Sequence, residues 1–156
     1  YKLFAGLPVK DNLDLELAYN NFGDSVTSGN NGDSFVDGDG KYDRGSYSPG
    51  TTLSFSANNV AVNIRSDSTS ASLKPKIKKG DFEIIPMIGI HRWDQSETTV
   101  TAGVSTTAVD YSGTDLIYGI GIKAKPQSNF TVSLNYAEYP MYYDASAMEL
   151  NLEYKF

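Results

Sequence analysis

From Met148 to Phe156 the chain alternates without exception between apolar and polar side chains. The apolar or aromatic positions are Met148, Leu150, Leu152, Tyr154 and Phe156. A β-strand places successive side chains on opposite faces and so has a period of two, whereas a helix has a period of 3.6. The pattern therefore predicts a strand with one wholly apolar face and one polar face.

The same period recurs along most of the chain, and helical periodicity is nearly absent. Alternating segments are found at 13–20, 116–123 and 130–136, and residues 1–9 fit a strand that runs into a turn. Segments 69–77 and 81–94 alternate less regularly and contain Pro75 and Pro86. Because each proline removes a backbone donor, we expect bulges or broken pairing at both. The chain is thus predicted to be all-β.

The connections between these segments alternate in length. Short ones are predicted at 10–12, 78–80 and 126–128, a medium one at 140–146, and long ones at 23–66 and 95–113. Short turns at one end of the strands and long loops at the other are typical of an antiparallel, up-and-down transmembrane β-barrel of the outer membrane. We therefore expect one domain over 1–156, in which 23–66 forms a long acidic outer loop.

Alternation alone does not say which face is lipid-exposed. A membrane barrel would direct ten charged residues inward, five of each sign: Lys2, Asp14, Glu16, Lys74, Lys76, Glu83, Lys123, Glu149, Glu153 and Lys155. Such balance suits an interior closed by ion pairs, because an unpaired buried charge is costly. A soluble, lipocalin-like ligand-binding barrel would carry the same residues on its outside, so this alternative stays open.

Aromatic residues near the predicted strand ends favour the membrane alternative. Those expected to form the two interfacial girdles against outer-membrane lipids are Tyr19, Trp93, Tyr118 and Tyr136 on the long-loop side, and Phe82 and Phe130 on the short-turn side.

The composition of the chain limits which partners, cofactors and metal sites are expected. The net charge of −6 and the pI near 4.6 argue against nucleic acid as a partner. The chain has no cysteine and a single histidine, so no cofactor is expected and a structural zinc site lacks its usual ligands.

Several segments resemble the OmpA-like family of small outer-membrane β-barrels: GDFEI at 80–84, GIHRWD at 89–94, GTDLIYGIG at 113–121, LNYAEY at 134–139 and LNLEYKF at 150–156. YKLFAG at 1–6 and LDLELAY at 13–19 resemble the family's second and third strands, so its first strand has no counterpart here. The resemblance implies a bacterial outer-membrane location. It also implies that the outer-membrane assembly machinery reads the closing strand, from Met148 to Phe156.

The strand number depends on residues 51–66, which resemble an extra hairpin. If this hairpin stands above the membrane, seven visible strands and one further strand make eight, which we favour. If it lies in the barrel wall, the number is ten.

Two sets of residues are candidates for chemistry. His91 is a candidate general base for a barrel enzyme acting on lipid or peptide, although no particular serine is paired with it in the sequence. Asp37, Asp39 and Asp43 alternate with glycine and other residues in a way that suits Ca²⁺, but the distal glutamate of an EF-hand is absent.

We expect a structural or interaction barrel without catalytic residues, displaying acidic loops at the cell surface, with a neighbouring surface protein as a candidate partner. A barrel enzyme using His91 is the alternative.

Overall fold

The computed structural model describes residues 1–37, 41, 48–102, 104–127 and 130–154. Its regular elements are ten strands: β1 (Lys2–Lys10), β2 (Leu13–Gly29), β3 (Ser34–Asp37), β4 (Thr51–Ser54), β5 (Val60–Pro75), β6 (Ile77–Lys79), β7 (Phe82–Thr101), β8 (Val104–Gln127), β9 (Phe130–Tyr139) and β10 (Ala145–Tyr154). Within these ranges, no helix is long and apolar enough to span a membrane. The all-β prediction is confirmed.

The long strands pair in chain order. The larger sheet runs β1-β2-β5-β7-β8-β9-β10, and the short strand β6 also pairs with β7. The pairs β1–β2, β6–β7, β8–β9 and β9–β10 are antiparallel. This is the up-and-down order predicted from the alternating connections.

The register of β9 and β10 aligns the apolar positions of both strands. Met148 lies opposite Tyr136, and Leu150 lies opposite Leu134. Side chains directly opposite in an antiparallel pair share one face of the sheet. The apolar face predicted for the last strand is therefore continuous with the apolar face of β9.

The chain divides into two compact units. The first unit contains 1–20, 68–93 and 113–156, and the second contains 21–67 and 94–112.

In the first unit the apolar face is exposed, and we call it the outward face. Leu150 is 67% exposed, and the same face carries Leu3, Ile88, Ile120 and Met148, which are also exposed. The opposite, inward face buries polar side chains, among them Glu16, Asn20, Ser68, Ser72 and His91. A water-soluble protein buries its apolar side chains instead. The distribution is that of a barrel surrounded by lipid, which answers the question that alternation left open.

The two prolines behave differently from each other. Pairing is interrupted after Pro75, where β5 ends before β6 begins, as predicted. At Pro86 the strand does not end, because β7 continues through it. Extending the β6–β7 register places Pro86 opposite Pro75, so the two missing donors fall at one level of the sheet.

The predicted long loops contain more strand than expected. Most of 95–113 belongs to β7 and β8. In the sequence, only residues 102 and 103 separate these two strands. Within 23–66, β2 continues to Gly29 and β5 begins at Val60. The extension of β2 is largely polar, whereas the start of β5 alternates Val60, Val62 and Ile64 with other residues.

The hairpin expected within 51–66 is also paired differently. Residues 51–54 form β4, which pairs with β3 in a separate two-stranded sheet, while 60–64 begin β5. The smaller sheet is therefore not part of the larger one, and the ten-stranded alternative is not supported.

Candidate functional site

A network of ion pairs lies on the inward face of the first unit. The Lys2 ammonium lies 2.8 Å from a Glu16 carboxylate oxygen and 3.2 Å from Glu149. The other Glu16 oxygen lies 2.5 Å from the Lys74 ammonium. Since these residues belong to β1, β2, β5 and β10, the network joins the two end strands of the sheet path to two others.

Other charged residues of the predicted interior lie near the short turns. Lys76 and Asp14 pair at 2.7 Å and are more exposed than the Glu16 network. Glu83 and Lys123 line a cleft of about 200 Å³ beside the turn at Gly80. Lys155 lies outside the described residues, as does the side chain of Glu153.

The space left beside the ion pairs is small. A cavity lined by Lys2, Lys74, Glu149, Met87 and Asn135 has a volume of about 20 Å³. One water molecule needs roughly 10–15 Å³. This cavity therefore has room for about one water molecule.

His91, the candidate general base, is buried on the inward face and is 1% exposed. Its Nε2 donates a hydrogen bond to the Pro140 carbonyl oxygen at 2.9 Å, and its ring meets the edge of Tyr139. Because a carbonyl only accepts, Nε2 carries the proton, and Nδ1 has no hydrogen-bond partner among the described residues. This geometry provides no hydroxyl for His91 to activate.

The prediction that Trp93 belongs to the aromatic girdle is wrong. It is 7% exposed on the inward face, and its Nε1 donates to an Asp115 carboxylate oxygen at 2.7 Å. Trp93 is an even number of residues from the buried Met87 and His91 on β7. It therefore shares their face of the strand and points away from the lipid. A Cβ at Gly113 would lie 2.5 Å from the indole, so the ring occupies the space that glycine leaves.

The remaining girdle candidates are partly or fully exposed. Phe82, Tyr118 and Tyr136 are exposed, and Tyr19 and Phe130 are half-buried. Tyr19 also contacts the ring of Tyr1.

The closing strand presents Met148, Leu150 and Leu152 on its exposed face, along the edge strand β10. Phe156 and the side chain of Tyr154 lie outside the described residues, so the structure covers only part of the predicted assembly signal.

Of the three candidate calcium ligands, the structure describes Asp37 alone. Asp37 is buried, and its carbonyl oxygen accepts a hydrogen bond from the Gly50 amide. Asp39 and Asp43 lie outside the described residues. No group of three or more metal-binding side chains is found in the described part of the chain.

Charge is divided unevenly between the two units. The second unit contains nine acidic and three basic residues, whereas the first contains ten of each. The whole net charge of −6 therefore belongs to the second unit. Here Arg65, Asp67, Asp94 and Asp110 line a cleft of about 310 Å³.

Several buried polar residues were not predicted from the sequence. Asn20 donates to Ser68 at 3.4 Å, and Gln95 donates to Ser66 at 2.8 Å within the second unit. The sequence contains a pattern from which they could be predicted. Serine occupies every second position at 66, 68, 70 and 72, which indicates a polar face on β5.

An antiparallel sheet with exposed apolar and buried ion-paired faces defines an outer-membrane β-barrel protein. The chain belongs to the outer membrane protein beta-barrel domain family, whose model matches residues 1–156. It is thus a protein of the bacterial outer membrane, and the soluble lipocalin-like alternative is wrong.

Solved structures agree on the fold. Ail, the attachment invasion locus protein of Yersinia pestis, matches with a TM-score of 0.51 at 13% identity, covering 99% of this chain and 80% of Ail. Ail in complex with the heparin analogue sucrose octasulfate matches with the same TM-score and coverage at 12% identity. A comparison with curated proteins found no match.

Proposed function

We propose that this protein is a non-catalytic interaction protein of the outer membrane, whose acidic second unit binds cationic or cation-bridged partners at the cell surface. The observation that carries the proposal is the division of charge, with nine acidic and three basic residues in that unit. Such an excess attracts cations over roughly 8 Å at physiological salt.

The interior supports a role without transport or catalysis. The Glu16 network and the small cavity of about 20 Å³ beside it support an interior filled by ion-paired side chains. His91 donates to a backbone carbonyl, and its Nδ1 has no hydrogen-bond partner among the described residues. We therefore assign the function to the second unit and a closed, ion-paired interior to the first.

We do not expect this chain to bind the heparin analogue that is bound to Ail. Sucrose octasulfate is a polyanion, and the second unit here carries an excess of negative charge. We propose instead that this chain prefers a basic partner, such as a basic surface of a neighbouring surface protein.

The test compares binding of polylysine and heparin to the folded protein in phosphatidylcholine vesicles, whose headgroups have no net charge. The variant Asp24→Asn with Asp110→Asn removes two exposed charges of the second unit. Its matched control, Asp11→Asn with Asp81→Asn, removes two exposed charges at the short turns.

Polylysine should bind the native protein, and the Asp24/Asp110 variant should bind it about two- to thirtyfold more weakly, since two exposed charges at about 0.2–1 kcal/mol each are removed. The turn variant should bind like the native protein. Preferential binding of heparin, or an equal loss in both variants, would contradict the proposal.

A further inference from the structure

The smaller sheet of the second unit has two open edges. It consists of β3 and β4 alone, and no third described strand pairs with either. An open strand edge presents main-chain donors and acceptors to which another extended segment can pair.

The register shows which residues face each open edge. The Phe55 amide donates to the Asp33 carbonyl at 3.0 Å, so Asp33 directs its carbonyl toward the neighbouring strand. Main-chain groups alternate in direction along an antiparallel strand. Ser34 and Val36 therefore direct their N–H and C=O groups away from β4, and Thr52 directs its own away from β3.

The β3 edge has features for a partner that the β4 edge lacks. Val36 is 65% exposed, and the exposed Asp33 immediately precedes β3. By contrast, residues 51–56 contain no charged side chain. The β3 edge thus combines free backbone groups, an apolar side chain and a nearby carboxylate.

We propose that the β3 edge binds an extended basic segment of another protein as an added β-strand, with Ser34 and Val36 supplying the main-chain hydrogen bonds. The segment would alternate basic with apolar side chains, the basic ones meeting the acidic surface of the second unit. This inference rests on the proposed function and specifies the chemistry of its partner.

The probe is a synthetic peptide of about six alternating lysine and valine residues, the usual length of a strand. Its affinity is measured for the full chain folded in detergent micelles. Val36→Pro removes one amide at the β3 edge without removing a β3–β4 hydrogen bond, because proline is tolerated where the N–H faces away from the sheet. Thr52→Pro makes the same change at the β4 edge.

Val36→Pro should weaken peptide binding by about tenfold, through loss of a hydrogen bond and obstruction of the edge. Thr52→Pro should bind like the native protein, and a peptide N-methylated at alternate residues should bind weakly to all three. Gel mobility before and after boiling verifies that each variant is folded.

Equal binding by the native protein and Val36→Pro would overturn the strand-addition inference while leaving charge-driven binding intact. An equal loss in both proline variants would also overturn it. Failure of the lysine–valine peptide to bind the native protein, with polylysine still binding, would refute the edge site alone. Failure of both probes would refute the proposed function as well.

Discussion

At the scale of single residues, the indole of Trp93 packs closely against Gly113 on the inward face. The indole occupies the space that a Cβ would fill and donates to Asp115. Gly113→Ala should lower the free energy of unfolding by about 1–3 kcal/mol, because overpacking forces the ring to move. Gly6→Ala is the control, since nothing lies within 4 Å of a Cβ there. Equal stabilities in urea titrations of the vesicle-bound protein would contradict this packing.

A second residue-scale prediction concerns Leu150, at the middle of the outward face of β10. Leu150→Arg should cost about 2–4 kcal/mol if the side chain lies near the bilayer midplane. Leu150→Met keeps an apolar side chain of similar volume and should cost less than about 1.5 kcal/mol. The measurement is the yield of folded protein in vesicles. Equal yields for the two variants would show that this position does not contact lipid.

At the scale of elements, Glu16 of β2 forms ion pairs with Lys2 of β1 and Lys74 of β5, in addition to the ladder hydrogen bonds between these strands. Glu16→Ala leaves Lys74 without its described carboxylate and Lys2 with Glu149 alone. Losing one partner of a buried pair costs about 3–5 kcal/mol. Asp14→Ala breaks the more exposed pair with Lys76 and should cost about 1 kcal/mol or less. If both changes lower the unfolding free energy equally, the Glu16 network does not hold these strands together.

Elements with one apolar face could be predicted from the sequence, and those without one could not. The strands of 13–20, 116–123 and 130–136 follow from alternation, because lipid on one side and a polar interior on the other enforce it. The end of β7 and the start of β8 lack a regular alternation of apolar and polar residues, so the sequence offers no period from which to predict them.

The same limit applies within the candidate site. Alternation correctly directed Glu16 and Lys74 to one face, but it did not show which charges would pair, since that depends on the register between strands. The misplacement of Trp93 had a different cause. Residue type alone predicts a girdle position for Trp93. However, Trp93 lies six residues from Met87 on the same strand, so the two side chains share the inward face.

At the scale of the whole molecule, the two units differ in what their charges do. The ten acidic and ten basic residues of the first unit include the described ion pairs of the inward face. The second unit carries the entire excess of negative charge. Raising the ionic strength should therefore weaken binding of polylysine while leaving folded, heat-modifiable protein unchanged, because buried pairs are screened much less than exposed charges.

The assignment of the outward face to lipid and of the inward face to the interior can be tested directly, because the chain has a single tryptophan. Tryptophan fluorescence is measured in vesicles of phosphatidylcholine brominated at mid-chain, which quenches an indole in contact with acyl chains. The native protein reports on Trp93, and Leu150→Trp combined with Trp93→Phe reports on the outward face. The account predicts strong quenching for the Leu150→Trp variant and little for the native protein. Equal quenching of the two, or stronger quenching of native Trp93, would contradict it.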